Sequence, residues 1–457
     1  MADEPSTPKR RVADGVPPVK RQRARPRTPP PARPLVPRPP ATLMSVLASR
    51  TQSGDPTGAT EWVERASIRT IATQQRAIKS VQGARSTIAV TFRRSDGLLA
   101  STHGDHSIKL VDVDADRVQR TLAGCVFVLH VARQTHQPTF RHPRTPWTVV
   151  FHPFRDDIIA SGCLGGVVRV WSLATGSSIS AELPDHVISL AFHPAGDLLV
   201  IACGVFIFVW AFGSPAALPQ LLIERTGRQR VVLFSPQCEL ITAEPMTPAR
   251  EFLPENQSYM RVLAWPNLDH ATMRAVADDV ALDGDFAALP KTLAERVIVY
   301  SEGGIALSSC GMLLAFVHVP EGPRDVQRVI ADARAREHVV DERVLAVFSL
   351  RTERIVHAAV LPDEYGIGIT SVRFSPTDAF IVLGYGVRSR PLIAASQLQH
   401  TIVVLGFDVG RGFSYAGSLN TQGEDVNIAL FHTVLGGGIV LGTRDGVIRV
   451  VGGFASQ

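Results

Sequence analysis

Short runs of hydrophobic residues alternate with polar turns along most of this chain, and several of the resulting units repeat. Phe-His-Pro at 151–153, Phe-His-Pro at 192–194 and Phe-Ser-Pro at 234–236 follow one another at intervals of 41 and 42 residues. Each motif ends a β-like run and precedes a small, apolar strand and then another β-rich strand. A period of about 40–45 residues is typical of propeller blades, four-stranded units that bury their faces against neighbouring units.

Seven such units can be followed along the sequence. Their first strands are expected at 87–92, 148–151, 188–192 and 230–234, and near Ile305, Ile369 and Val426. The last unit ends one strand short, and residues 76–82 can supply the missing outer strand, which would leave no unpaired edge. The sequence therefore predicts an all-β fold, a seven-bladed WD-repeat β-propeller over residues 76–457, preceded by a disordered basic tail and short helices.

One interval departs from the period. Phe92 and Phe151 are 59 residues apart, and removing residues 125–141 would restore 42 and join Gly124 to His142. A Gly-His pair at this point belongs to the WD-repeat signature. Residues 125–141 are therefore an insertion, either a genuine loop on one rim or a translated non-coding segment, and its apolar first half favours the second.

The basic charge of the chain is concentrated at its start. Residues 1–40 contain twelve prolines and ten Lys or Arg against three acids, a net charge of +7, so the whole-chain value of +5 leaves −2 for residues 41–457. Such a tail cannot bury enough apolar surface to fold, and we expect it to be disordered. Two basic clusters in it resemble a bipartite nuclear import signal, and a solvated tail is the alternative. These clusters comprise Lys9, Arg10, Arg11, Lys20, Arg21 and Arg23. Their import function would place the protein in nucleus and cytoplasm.

Two helices are expected between the tail and the repeats, in a segment spanning 41–75. Leu43, Val46 and Leu47 are spaced as one apolar stripe of a helix over 41–50. A second helix over 61–75 contains the apolar residues Val63, Ile68 and Ile71 among polar ones. A helix of about ten residues is marginal alone in water. The first helix must therefore contact the propeller or bind a partner.

Composition excludes several function classes. A nearly neutral body argues against a nucleic-acid-binding surface, which would carry clustered Lys and Arg. The five cysteines show no Cys-x-x-Cys pair and are typical of small core residues in a reducing compartment. No run of 18 apolar residues and no apolar leader is present, so we expect neither membrane insertion nor a signal peptide.

Catalytic and cofactor-binding patterns are lacking in the sequence. It contains no phosphate-binding loop, metalloprotease helix or nucleophile elbow. His103, His142, His152 and His193 recur at similar places in the repeat, which predicts hydrogen bonds between strands. Asp105 and Asp445 precede third strands, where a carboxylate can bond the backbone of a turn, and Gly165 replaces them in the second unit. We expect no enzyme activity, cofactor or metal.

Several segments resemble one known family. They are LLASTH at 98–103, RTPWTVVFHP at 144–153, IASGCLGGVVRVW at 159–171, GMLLAF at 311–316 and LAVFSL at 345–350. Together they are similar to the Ambra family, the activating molecule in Beclin-regulated autophagy. Members of that family have a propeller interrupted by a very long disordered segment, whereas the corresponding break here, about 244–300, is short.

The resemblance implies a substrate receptor of a cullin-four RING ubiquitin ligase, held by the DDB-type adaptor through a short helix ahead of the propeller. Five residues match that placement and pattern, namely Leu43, Met44, Val46, Leu47 and Arg50. The alternative for this helix is packing on its own propeller. We expect a non-catalytic receptor for an unidentified protein substrate, with a link to autophagy proteins. The alternative is a general scaffold of a nuclear or autophagy complex without ligase contact.

Overall fold

The computed structural model describes twelve stretches of the chain. They are residues 56–77, 85–115, 117–122, 142–214, 216–246, 259–280, 290–299, 303–320, 343–361, 368–386, 400–421 and 424–453. The basic tail, the helix predicted over 41–50 and the insertion at 125–141 lie outside this part of the chain. The boundaries predicted for the three segments, 1–40, 41–75 and 76–457, stay predictions.

The described strands are antiparallel to their neighbours and form four-stranded units. The first unit contains β2 (Thr87–Phe92), β3 (Leu99–His103), β4 (Ile108–Asp112) and β5 (Arg117–Leu122). The second contains β6 (Pro146–Phe151), β7 (Ile158–Cys163), β8 (Val167–Ser172) and β9 (Ser178–Glu182). The third contains β10 (Val187–Phe192), β11 (Leu199–Cys203), β12 (Phe206–Trp210) and β13 (Gln220–Glu224).

Four further units follow. The fourth contains β14 (Val231–Phe234), β15 (Leu240–Pro245), β16 (Met260–Trp265) and β17 (Lys291–Ile298). The fifth contains β18 (Ile305–Leu307), β19 (Leu313–His318), β20 (Arg343–Ser349) and β21 (Arg354–Leu361). The sixth contains β22 (Ile369–Phe374), β23 (Phe380–Tyr385), β24 (Ile402–Asp408) and β25 (Gly412–Leu419). The seventh contains β26 (Val426–Phe431), β27 (Ile439–Thr443) and β28 (Ile448–Val451). The seven-bladed fold and the starts of all blades are therefore confirmed.

The seventh blade takes its outer strand from the N-terminal side of the repeats. This strand, β1 (Gln75–Ala77), pairs antiparallel with β28, in the register Gln75 to Val451 and Ala77 to Arg449. The donated strand expected from the sequence is confirmed in position, although it begins one residue earlier than 76. Residues 78–82 lie outside the described stretches. Pairing at this seam covers an edge that would otherwise be open.

Blades four and five are joined by an extra pairing. At one end of β17, Val297 pairs with His318 and Ile298 with Val317 of β19, so the two blades form one eight-stranded sheet. The cause is the shortness of β18, which covers β19 only from Leu314 to Phe316. The remaining length of β19 is free to accept the neighbouring strand.

Two helices accompany the described strands. Helix α1 (Pro56–Ile68) precedes β1, and α2 (His270–Ala277) lies between β16 and β17. The sequence prediction of 61–75 for the second helix was wrong at both ends. Pro suits the first position of a helix because it has no N–H to leave unpaired. At the other end the chain has to turn so that Gln74 can accept the N–H of Gly452 at 2.7 Å.

The hydrophobic core lies between adjacent blades. Six of the second strands are buried along their whole length, because each is flanked by strands on both sides and by blades on both faces. They are β3, β7, β11, β19, β23 and β27. Among the described residues, no helix is long and apolar enough to cross a membrane.

Candidate docking site

The residues predicted to bind the adaptor, Leu43, Met44, Val46, Leu47 and Arg50, lie outside the described stretches. The same holds for the residues of the predicted import signal, Lys9, Arg10, Arg11, Lys20, Arg21 and Arg23. Both sites therefore stay predictions. The structure does show the helix that follows the predicted docking segment.

Helix α1 is anchored to the propeller by apolar side chains. Val63 is buried, and Ile68 and Ile71 belong to the hydrophobic core between blades six and seven. These are the apolar positions that the sequence placed on the second helix. Each fully buried side chain of this size stabilises the contact by about 1.5–3 kcal/mol. The helix is thus part of the folded body.

A buried carboxylate adds a polar anchor to α1. Glu64, 4 % exposed, accepts hydrogen bonds from Ser375 Oγ at 2.9 Å, from Thr377 N at 3.3 Å and from Thr377 Oγ1. Ser375 and Thr377 belong to the turn between β22 and β23. Burial raises the pKa of Glu64 above its ordinary value, although the hydrogen bonds from Thr377 and Ser375 oppose the shift. The acid therefore joins α1 to the sixth blade.

The position of α1 defines one face of the propeller. We call the face that carries the turns after the first strands, such as 152–157 and 432–438, the bottom face, and the opposite one, with turns 104–107 and 164–166, the top face. Glu64 contacts a first-strand turn, so α1 lies on the bottom face. Arg50 is six residues before Pro56, so an extended chain places it within about 22 Å of the start of α1.

The Phe-His-Pro turns of the bottom face connect successive blades. His152 Nδ1 accepts the N–H groups of Phe154 and Arg155, and its Nε2 lies 2.6 Å from the Gly196 carbonyl of blade three. The two amides leave the proton on Nε2, which donates to that carbonyl. Burial lowers the pKa of His152. His152 therefore has a structural role, but its hydrogen bonds join turns of neighbouring blades, and not strands as the sequence had predicted.

A second histidine cluster on the bottom face has the residue types of a metal site. His193, Asp197 and His270 bring ligand atoms within 4.8 Å of one another. However, His193 Nδ1 accepts the N–H of Ala195 at 3.0 Å, so the neutral ring carries its proton on Nε2 and has no lone pair free there. Asp197 is bound instead by His270 Nε2 at 2.8 Å and by Arg274 at 3.3 Å. The chemistry of these donors fits an ion-pair network better than a metal centre.

The top face carries the remaining repeated histidines. His103 Nε2 lies 2.8 Å from Ser101 Oγ, and burial lowers its pKa to about 4. His142 Nε2 lies 3.0 Å from Ser161 Oγ, which also accepts the indole N–H of Trp171 at 2.8 Å. Both rings are therefore neutral structural groups. His142 thus contacts a residue of β7, and His103 Nδ1 lies 3.3 Å from Thr87 Oγ1 of β2, as expected for hydrogen bonds between strands, whereas the contact of His103 with Ser101 lies within β3.

Sequence reasoning missed two features of the bottom face. Nothing in the sequence indicates that Glu64 is buried, because an acidic residue on a predicted amphipathic helix is normally exposed. Helix α2 lies within residues 244–300, for which the sequence analysis expected only a break in the propeller, yet the signals of a helix were present. Asp269 accepts the N–H of Thr272 at 2.8 Å as an N-cap, and Met273 and Ala277 follow at helical spacing and are buried.

Part of the chain is similar in sequence to known proteins. No protein-family model matches the chain. It is 33% identical over 181 residues to "Activating molecule in BECN1-regulated autophagy protein 1A" of Danio rerio, which covers 39% of this chain and 12% of the relative. It is 34% identical over 165 residues to protein 1B of the same organism, covering 36% of this chain and 11% of that relative. The chain thus spans only about an eighth of the length of these relatives.

Solved structures resemble the whole propeller. The structure of U3-55K matches with a TM-score of 0.54 at 12% identity, covering 83% of this chain and 99% of that one. The β-propeller domain of Cps50 (Swd1) from Myceliophteria thermophila matches with a TM-score of 0.52 at 13% identity, covering 84% of this chain and 100% of that domain. At such identity these structures show the fold alone. The sequence relatives confirm the resemblance to the Ambra family over nearly two fifths of the chain, on a WD-repeat propeller.

Proposed function

We propose that this protein is a non-catalytic substrate receptor of a cullin-four RING ubiquitin ligase, with a role in autophagy regulation. Residues 41–50 would bind the DDB-type adaptor, and the propeller would present an unidentified protein substrate. The autophagy role is supported by the name of the relatives. We further propose that the basic clusters of the tail direct part of the protein to the nucleus, with the rest in the cytoplasm.

The observation that carries the proposal is the anchoring of α1. A short docking helix is useful to a receptor only if it projects from a fixed point, since a freely moving link would leave the substrate unoriented. Three buried apolar side chains and the Glu64 hydrogen bonds supply that point on the bottom face. The chain between Arg50 and Pro56 is short enough to keep an adaptor close to this face.

The test replaces Leu43 and Leu47 together by Asp. Two charges on the apolar stripe should abolish co-purification of the adaptor and cullin from cells, while the thermal unfolding midpoint stays the same. The control is Arg69→Asp with Ala72→Asp, which adds the same two acids at exposed positions just after α1. Adaptor binding retained by the Leu43 and Leu47 variant would reject the docking role.

A general scaffold without ligase contact is the second candidate. The name of the relatives mentions autophagy and no ligase, and this favours the scaffold. Proximity labelling in cells separates the two functions. Cullin and adaptor should be labelled near a receptor, whereas labelled autophagy or nuclear proteins without them would support the scaffold.

A further inference from the structure

The outer edges of the blades differ in charge. An outer strand exposes a row of backbone N–H and C=O groups, and charged side chains normally keep other strands from pairing with it. The outer strands β1, β5, β9, β13, β17 and β21 each contain at least one Lys, Arg or Glu. The outer strand of blade six, β25, has the sequence GFSYAGSL and contains no charged residue. Among the described outer strands, its edge is therefore the one that charge does not protect.

The edge of β25 is also open. It is the last strand of its sheet, and no other described strand pairs with its outer side. Its register shift does not set it apart, because β5, β13, β17 and β21 have one as well. Six large hydrophobic side chains are exposed among the described residues, and two of them belong here. Tyr415 of β25 is 61% exposed, and Val409 in the turn before it is 62% exposed.

Hydrogen bonds hold the side chains at this edge in place. Tyr415 Oη lies 2.8 Å from Ser418 Oγ, so the ring is aligned along the strand. Asp408 Oδ1 accepts the N–H of Arg411 at 2.8 Å, which fixes the turn that leads into β25. Arg411 is exposed, and within the described part of the chain its guanidinium forms no ion pair. A positive charge without a counter-charge therefore lies next to the start of an uncharged edge.

We propose that the edge of β25 binds an extended segment of a partner protein as an additional antiparallel strand. In this binding mode main-chain hydrogen bonds supply the affinity and alternate side chains supply the specificity. The strand that already pairs with β25 is antiparallel to it. An antiparallel segment on the outer side would have its C-terminal end beside Arg411.

The chemistry of the edge defines the segment. A β-branched or aromatic side chain suits the position beside Tyr415, because such cross-strand pairs stabilise a sheet. A charged residue would gain no ion pair along β25 itself, whereas an acidic residue at the C-terminal end would pair with Arg411. The expected segment is thus uncharged, rich in β-branched residues and terminated by an acid. This binding does not depend on the docking proposed for residues 41–50.

The probe is a peptide of three Thr-Val repeats followed by Asp, labelled at its N-terminus and amidated at its C-terminus. Its fluorescence anisotropy is measured while full-length protein is added at constant ionic strength. Tyr415→Lys should weaken binding about fivefold or more, because it removes the cross-strand pair and places a charge on the edge. Leu221→Lys is the matched control, since Leu221 is an exposed residue of the outer strand β13, and this variant should bind like the original protein.

Exchange of charge tests the role of Arg411. Arg411→Glu should weaken binding of the Asp peptide about two- to fivefold and strengthen binding of the same peptide ending in Lys by a similar factor. Hydrogen exchange locates the bound peptide, because the amides of residues 412–419 should gain protection while those of β13 do not. Equal binding of the two peptides by both proteins would overturn the proposal.

The remaining outcomes are equally decisive. No binding to the original protein would overturn the proposal, and so would binding that Tyr415→Lys leaves unchanged or that Leu221→Lys weakens to the same extent. Ser414→Lys places the same charge on the edge at another exposed position, in case Tyr415→Lys does not fold. Sedimentation without peptide tests for a second copy of this chain: a dimer that Tyr415→Lys abolishes would assign the edge to self-association and overturn the partner segment.

Discussion

Removing the buried carboxylate of α1 should release the helix from the propeller. Glu64→Ala deletes the acceptor of three hydrogen bonds and leaves the Ser375 hydroxyl and the N–H and hydroxyl of Thr377 without it. Unsatisfied buried donors cost about 1–3 kcal/mol each, and water entering beside the smaller side chain recovers part of this. We therefore expect docking of α1 to weaken by about 2–4 kcal/mol, or roughly 30- to 1,000-fold in the closing equilibrium.

Hydrogen exchange measures this equilibrium directly. Amide protection across Val63 to Ile71 should fall by the same factor, while protection in the blade cores is retained. Glu61→Ala is the matched control on the same helix, since the Glu61 side chain is 46% exposed and forms an ion pair with Arg65 at 2.9 Å. An exposed pair of this kind contributes about 0.3–0.5 kcal/mol. Equal loss of protection in the two variants would refute the anchoring role of Glu64.

The same residue makes docking depend on pH. Burial raises the pKa of Glu64 above its ordinary 4.5, so its contribution to stability is complete below that value and is lost as the pH rises through the folded-state pKa. Protection of α1 should accordingly decline from pH 4 towards neutrality. In Glu64→Gln this part of the pH dependence should disappear; an unchanged pH profile would contradict the assigned cause.

Two further predictions concern single blades. Gly196 has φ +85°, and a Cβ added there would lie 2.7 Å from His152 Cε1. Gly196→Ala should therefore destabilise the propeller by about 2–3 kcal/mol, whereas Gly213→Ala should change the free energy of unfolding by less than about 0.5 kcal/mol. Equal unfolding midpoints of the two variants would refute the close contact. Burial alone would raise the pKa of Glu244, but hydrogen bonds from Arg225 at 2.8 and 2.9 Å bring it below the ordinary value. This pair stabilises the fold above pH 4.5 and its contribution is lost as the pH falls, so Glu244→Gln should flatten acid unfolding curves, and an equally steep curve would contradict the pairing.

The blades could be predicted because each one repeats both a spacing and a pattern. Phe151, Phe192 and Phe234 end first strands at intervals set by the blade itself, and the small residues of β7 and β11 follow them. The strand at the seam could be expected because β28 would otherwise have an open edge. The turn position of Asp105 was also visible, because a short carboxylate before a third strand has a local partner.

Other features depend on contacts between distant residues, to which spacing gives no guide. The end of α1 is set by Gly452, which pairs with the residue before β1, and the burial of Glu64 is set by the turn at Ser375. The sheet shared by blades four and five follows from the shortness of β18.

The seam between β1 and β28 has a consequence for synthesis. On the ribosome, Gln75 emerges long before Val451, and nearly every blade is made in the interval. The nascent chain must therefore keep β1 without its partner until β28 has been synthesised. During that time β1 has an unpaired edge that a chaperone could cover, and a premature stop before β28 would leave β1 permanently without its partner strand.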